Sequence, residues 1–190
     1  MRGVLYLAST SPRRWELLDR AGIEFRLHPP GPECEGSGEP RERAQMRARS
    51  KAREAERPPA PGRVLGVDTV VVVAEESGLT ELGKPADRQS ATAMLRRLSG
   101  RDHDVVTAHC LFDPDTGTHV EECVSSRVRC ADLTQEQIEL YLDSDDWTDK
   151  AGGYGIQSEA SRFMELIEGD LDTVIGLNIA TVLRLLARDS

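Results

Sequence analysis

The run Val64-Leu65-Gly66-Val67, resumed as Thr69-Val70-Val71-Val72-Val73, constrains this chain more than any other segment. It is β-branched and apolar on both faces, the pattern of a central strand covered from either side. Asp68 sits in its middle. A carboxylate there is costly unless it is paired or bound to a metal. It can align a structural loop through backbone N–H groups, hold a divalent cation, or act as a general base on water. The apolar flanks favour one of the functional roles.

The other elements follow from local punctuation. Val4–Ala8 reads as a short buried strand. A helix from about Pro12 to Ala21 follows, with Ser11 as N-cap and Gly22 closing it. Pro29 to Pro32 force a loop that delivers Glu33. A charged helix runs from about Arg41 to Glu56 and stops at the Pro58–Gly62 segment. Residues 75–82 form a turn and short return strand around Gly78, and Asp87 caps a helix to about Leu98. Strands at about Asp104–Phe112 and His119–Cys130 flank a hairpin turn, Asp113-Pro114-Asp115-Thr116-Gly117. Thr134 with Gln137 fits a capping box for a helix to about Leu142. A flexible loop at Gly152, Gly153 and Gly155, a strand at Phe163–Glu168 and a helix capped by Asn178 complete the chain. The mixture is α/β with a partly antiparallel sheet.

At 190 residues the chain predicts one domain, or one with a large sub-lobe. The 33 acidic residues against 24 basic ones give a net charge of −9. That makes the chain a poor general binder of nucleic acid or anionic membrane, so an anion site must be a local basic cluster. The apolar start before Ser9 is too short for a signal-peptide core, and no stretch approaches the roughly 20 apolar residues of a membrane span. A cytosolic, soluble protein is expected. Cys34, Cys110, Cys123 and Cys130 form no C-x-x-C pair, so free thiols are expected. Of the basic residues, 21 are arginines and only three are lysines, Lys51, Lys84 and Lys150. A lysine kept in such a background points to a compact, flexible ammonium with a task of its own.

Four segments can carry chemistry. In Ser9-Thr10-Ser11-Pro12-Arg13-Arg14, two arginines occupy a helix start that already bears partial positive charge. The arrangement makes sense around an anion, with hydroxyls, backbone N–H groups and guanidinium forks forming a polyphosphate cradle. The plainer alternative pairs both arginines with Glu16 or Asp19. Asp68 is the second segment. The third, Gly78 to Lys84, satisfies G-x-x-x-x-G-K, but Pro85 stands where a phosphate loop needs Ser or Thr, so that reading is rejected. Lys84 can still reach a phosphate as a point charge, although alone it reads as a turn lysine. The fourth, Asp149 to Gln157, has glycines that permit close approach to a ligand. There Tyr154 offers a ring and Gln157 an amide that can read a base edge; the alternative is a linker. The basic segment 41–57 carries nearly as many glutamates and reads as a solvated helix face, on which Lys51 can point inward.

Taken together, these pieces resemble the Maf-like nucleotide pyrophosphatases, also called the septum-formation-inhibitor family. The likeness runs in order through Leu7 to Arg14, Glu33, Ser50-Lys51-Ala52, Gly66 to Val70, Leu82 to Pro85, Met94 to Gly100, Asp149 to Gln157, Gly169-Asp170 and Val174 to Leu177. It takes in all three lysines. The resemblance implies a fold like the inosine-triphosphatase group, an elongated mixed sheet with flanking helices and a deep central cleft. The expected organisation is a single domain over residues 1–190 with two lobes around that cleft. It also implies hydrolysis of a nucleoside triphosphate to the monophosphate and pyrophosphate with a divalent cation, magnesium or manganese, and a homodimer. The Asp-Thr pair and the loop ending in Gln157 are similar to the branch acting on dTTP and UTP. Departures are Gly153 for the usual Ala, Ser158 for Gly, Asn178 for Pro and Cys34 in place of a second acidic residue. On this reading Ser9, Ser11, Arg13 and Arg14 hold the triphosphate, and Lys51 and Lys84 add charge near the α-phosphate. Glu33 and Asp68 hold the metal, Asp68 activates water, and Gln157 reads the pyrimidine with Tyr154 beside it. The rival reading is a nucleotide sensor of cell division that hardly turns over. The assignment requires Arg13, Arg14 and Asp68 to converge on one hollow.

Overall fold

A computed structural model describes residues 3–76 and 78–188. Among these residues lie seven strands and six α-helices in the order β1 (Val4–Ala8), α1 (Pro12–Arg20), β2 (Arg26–His28), α2 (Pro40–Arg53), β3 (Gly62–Glu75), β4 (Gly78–Leu82), α3 (Arg88–Leu98), β5 (Asp102–Phe112), β6 (His119–Cys130), α4 (Gln135–Leu142), β7 (Met164–Glu168), α5 (Leu171–Ile175) and α6 (Ile179–Arg188). The strands form one mixed sheet in the order β2-β1-β3-β5-β6-β7, with β4 branching from β3. The α/β reading holds, and the double-sided apolar run is the long strand β3. No helix among the described residues is long and apolar enough to cross a membrane.

The chain divides into two compact units. The first comprises residues 1–69, 107–124 and 176–190, and the second comprises 70–106 and 125–175. In the first unit β1 runs parallel to both β2 and the opening half of β3, with Leu7 opposite Leu27 and Leu65. Its interior holds Leu7, Leu18, Leu65 and Leu185, all essentially solvent-free. Each fully buried leucine stabilises the fold by about 1.5–3 kcal/mol relative to an exposed one. On α6, Thr181, Val182 and Leu185 recur at helical spacing and form its buried stripe.

In the second unit the closing half of β3 pairs antiparallel with β4, and β6 pairs antiparallel with β7. Ala91, Leu95 and Leu98 on α3 and Ile138, Tyr141 and Leu142 on α4 meet in one apolar cluster. Caps fix where these helices begin. The Asp87 carboxylate accepts the Ser90 N–H at 2.7 Å, and the Thr134 hydroxyl accepts the Gln137 N–H at 3.2 Å. The Gln137 side chain returns the bond from the Thr134 N–H at 2.9 Å, completing the expected box.

Candidate active site

The first unit brings four charged side chains together, and two glycines make the assembly possible. On β3, side chains two apart share a face, so Gly66 and Asp68 look the same way. A Cβ at Gly66 would meet the Ala48 carbonyl oxygen at 2.2 Å and the Ala52 nitrogen at 2.7 Å. Helix α2 therefore crosses directly over that glycine, with Ala44, Ala48 and Ala52 buried beneath it. Gly31 plays the same part for the following loop, where a Cβ would lie 2.6 Å from the Ser50 carbonyl oxygen. Three bonds clamp the loop to the helix. Gly31 N–H donates to the Lys51 carbonyl at 3.0 Å, Ser50 Oγ donates to the Pro32 carbonyl at 2.8 Å, and Arg47 Nη2 donates to the Glu35 carbonyl at 3.0 Å.

Lys51 points inward, as its place in the sequence suggested. Its Nζ donates to Asp68 Oδ1 at 2.6 Å and lies 3.0 Å from Glu33 Oε1. One ammonium thus draws together two carboxylates that are 35 positions apart in the chain. Asp68 is only 6% exposed, and its Oδ2 is buried without a hydrogen bond. Arg47 Nη1 stands 3.7 Å from that oxygen, beyond hydrogen-bond length. Glu33 remains exposed at the loop surface. No three His, Cys, Asp or Glu side chains among the described residues cluster around a potential ion position. Two carboxylates with one orphaned buried oxygen suit magnesium or manganese, which take one or two carboxylates and complete their shell with water and phosphate oxygens. They do not suit a closed zinc cage.

Arg47 is a site residue that sequence reasoning missed. Placing residues 41–57 on a solvated face concealed it. Its spacing of four from Lys51 puts both on one side of α2 and was the available signal.

At the start of α1, Ser11 adopts the extended N-cap conformation, but its side chain makes no capping bond. Ser9 Oγ accepts from the Ser11 N–H at 3.2 Å and from Arg14 Nη1 at 3.1 Å. Arg14 also donates from Nε to the Gly176 carbonyl at 2.8 Å and from Nη2 to Thr69 Oγ1 at 3.2 Å. Burial lowers the Arg14 pKa to about 10; the Asp68 charge opposes that shift, Arg13 adds to it and Glu33 opposes it. The side chain stays protonated at neutral pH. Arg14 reaches β3 at Thr69 while Asp68, one position earlier, carries Lys51. Arg13 is half-buried on the same helical turn, and the first turn holds no acidic residue.

The second unit carries the other expected site residues. Lys84 is exposed just after β4, and its Nζ lies 4.0 Å from Asp149 Oδ1. Gly152 N–H donates to the Gly83 carbonyl at 2.9 Å and pins the glycine loop there. Gln157 is exposed. Lys150 instead turns to Asp146, bonding its carbonyl and its Oδ1, the latter at 3.1 Å. Tyr154 departs from the expectation of a ring beside the pyrimidine. It is 5% exposed, belongs to the apolar cluster, and its hydroxyl lies 2.7 Å from His103 Nε2. Its place is that of a packing residue beneath the loop, because a ring enclosed on all sides presents no face to a ligand.

Comparison with known proteins finds the family that the motifs resemble. The family model described as Maf-like protein matches residues 4–189. The chain is 42% identical over 186 residues to the dTTP/UTP pyrophosphatase of Koribacter versatilis (strain Ellin345), covering 97% of this chain and 93% of that protein. It is 41% identical over 184 residues to the protein of that name from Syntrophomonas wolfei, with 96% and 95% covered. The corresponding protein of Pyrococcus abyssi is 37% identical over 184 residues, again covering 96% and 95%.

Proposed function

Because this chain belongs to the Maf-like protein family, we propose that it is a nucleoside triphosphate pyrophosphatase acting on dTTP and UTP. The observation that carries the reading is Lys51 joined to both Asp68 and Glu33 while Asp68 Oδ2 stays buried without a hydrogen-bond donor. An acceptor oxygen held in that state is poised to receive a proton or a cation.

The Asp68 carboxylate takes a proton from water as the water oxygen attacks the α-phosphorus. The bond from that phosphorus to the oxygen bridging the β-phosphate breaks, so pyrophosphate leaves and the monophosphate remains. Lys51 keeps the Asp68 carboxylate oriented and faces the charge that develops on the phosphoryl oxygens. Ser9, Ser11, Arg13 and the positive end of the α1 dipole receive the triphosphate. The three bonds of Arg14 hold its charge in place before substrate arrives. A magnesium or manganese ion held by Glu33 and Asp68 would supply positive charge at the phosphate oxygens and a more acidic bound water. Lys84 and Gln157 are assigned to phosphate charge and to base choice on the strength of their motifs.

The test is a panel of nucleoside triphosphates with magnesium or manganese, assayed with and without a coupled pyrophosphatase. Orthophosphate should appear only with the coupling enzyme, and dTTP and UTP should lead the panel. Orthophosphate released without coupling, or no release from any triphosphate, overturns the reading.

A further inference from the structure

We propose that Arg47 is the built-in counter-cation of Asp68, and that it makes this a site that takes its divalent cation together with the triphosphate and not as a resident ion. The inference rests on the pyrophosphatase reading and deepens it. Two carboxylates, Glu33 and Asp68, face two cations, Lys51 and Arg47, on one side of α2. Lys51 accounts for Asp68 Oδ1, and Arg47 Nη1 lies 3.7 Å from Oδ2, the oxygen that a cation needs. Arg47 also bonds the Glu35 carbonyl at 3.0 Å, which holds its guanidinium where the Glu33 loop passes. Both partners are well shielded, with side chains 18% and 8% exposed for Arg47 and Asp68. Charge interactions there are screened less than at an open surface.

The charge balance has a direct consequence. A bare dication arriving at Oδ2 meets two carboxylates already matched by two fixed positive charges, with Arg14 close enough to Asp68 for the charge of each to act on the other. A metal–triphosphate complex arrives with net negative charge, which the same cations attract. Metal and nucleotide must then favour each other's binding by the same factor, as linkage requires.

The experiment measures Mn²⁺ affinity directly, by electron paramagnetic resonance or calorimetry, on the full chain. It is done alone and with the α,β-methylene analogue of UTP, which cannot be cleaved at the scissile position. The wild type should bind Mn²⁺ weakly alone and at least about tenfold more tightly with the analogue. Arg47→Gln, which keeps an amide for the Glu35 carbonyl but removes the charge, should tighten binding of Mn²⁺ alone by about tenfold or more, the scale of one unit charge acting on a dication over a few ångströms. Arg47→Lys, which keeps the charge, should stay close to wild type. Equal Mn²⁺ affinity with and without the analogue overturns the proposal. So does an unchanged Arg47→Gln, or an Arg47→Lys that tightens binding as much as Gln, since loop geometry would then be the cause. A melting curve confirms that each variant is folded. Pyrophosphate release on the triphosphate panel reads the enzymatic assignment, while Mn²⁺ affinity of the nucleotide-free protein reads the role of Arg47, so the two fail separately.

Discussion

Replacing Gly66 with alanine tests how the site is assembled without touching any group assigned to chemistry. The new Cβ would lie 2.2 Å from the Ala48 carbonyl oxygen and 2.7 Å from the Ala52 nitrogen. Both are backbone atoms of α2, so no rotamer change relieves the clash. Carbon–oxygen contacts settle near about 3.3 Å, so α2 must back away from β3 by about 1 Å. Overpacking of this kind costs about 1–3 kcal/mol. At about 2–4 °C per kcal/mol for a chain this long, the melting temperature should drop by about 2–12 °C. Lys51 rides on α2, so its 2.6 Å bond to Asp68 lengthens with the same movement. A displacement of about 1 Å in a positioning group costs on the order of 10²-fold in rate. Gly66→Ala should therefore melt earlier and lose about that factor in kcat/KM for pyrophosphate release. A variant that melted like wild type would refute the claim of close approach. One that melted earlier yet kept full kcat/KM would refute the claim that this approach seats Lys51.

Asp68→Asn keeps the shape of the strand but removes the proton acceptor, so kcat should fall by about 10²–10⁴-fold with KM little changed; steady-state pyrophosphate release reads both, and near-normal kcat would remove Asp68 as the base. Burial lowers the His103 and His109 pKa values to about 4, so the folded state resists protonation that the unfolded chain accepts near 6.5. Their contribution is complete above about pH 6.5 and is lost as pH falls toward 4, because the unfolded chain binds more protons throughout that window. Denaturant titrations from pH 7 to 4 should show that decline, and His103→Gln should flatten part of it. Tyr154→Phe should lower stability by about 1 kcal/mol through the lost His103 bond while leaving the dTTP-to-CTP preference unchanged. Gln157→Ala should narrow that same preference with little effect on melting, and the reverse pattern would exchange the two assignments.

What could be read from the residues depended on whether local chemistry or tertiary apposition decided the outcome. Helix starts were legible because a cap is a local bond: Asp87 with Ser90 and Thr134 with Gln137 form where their spacing predicts. β3 was legible from its apolar run, although it extends two residues further at each end, to Gly62 and Glu75. β2 was not. Its three residues, Arg26-Leu27-His28, are largely exposed, and the one ring contact to β1, His28 against Tyr6, is tertiary, so no side-chain alternation marks them. The five-residue α5 is likewise too short for a helical period to show. Within the site, Lys51 stood out against an arginine-rich background, whereas Arg47 was hidden among residues of its own kind. Its role becomes visible only once Gly66 lets α2 settle over Asp68. Tyr154 failed for the opposite reason: a glycine-rich neighbourhood looks solvent-facing, yet that loop folds its ring into the apolar cluster.

The backbone passes from one compact unit to the other four times, and three of those passages, at 69/70, 106/107 and 124/125, fall inside β3, β5 and β6. No continuous stretch of gene therefore encodes either unit. Shuffling by recombination would carry off pieces of both, and at those three points a protease meets paired strand and not a linker loop. A variant of either unit is therefore reached by point changes within the whole chain and not by exchanging a contiguous segment.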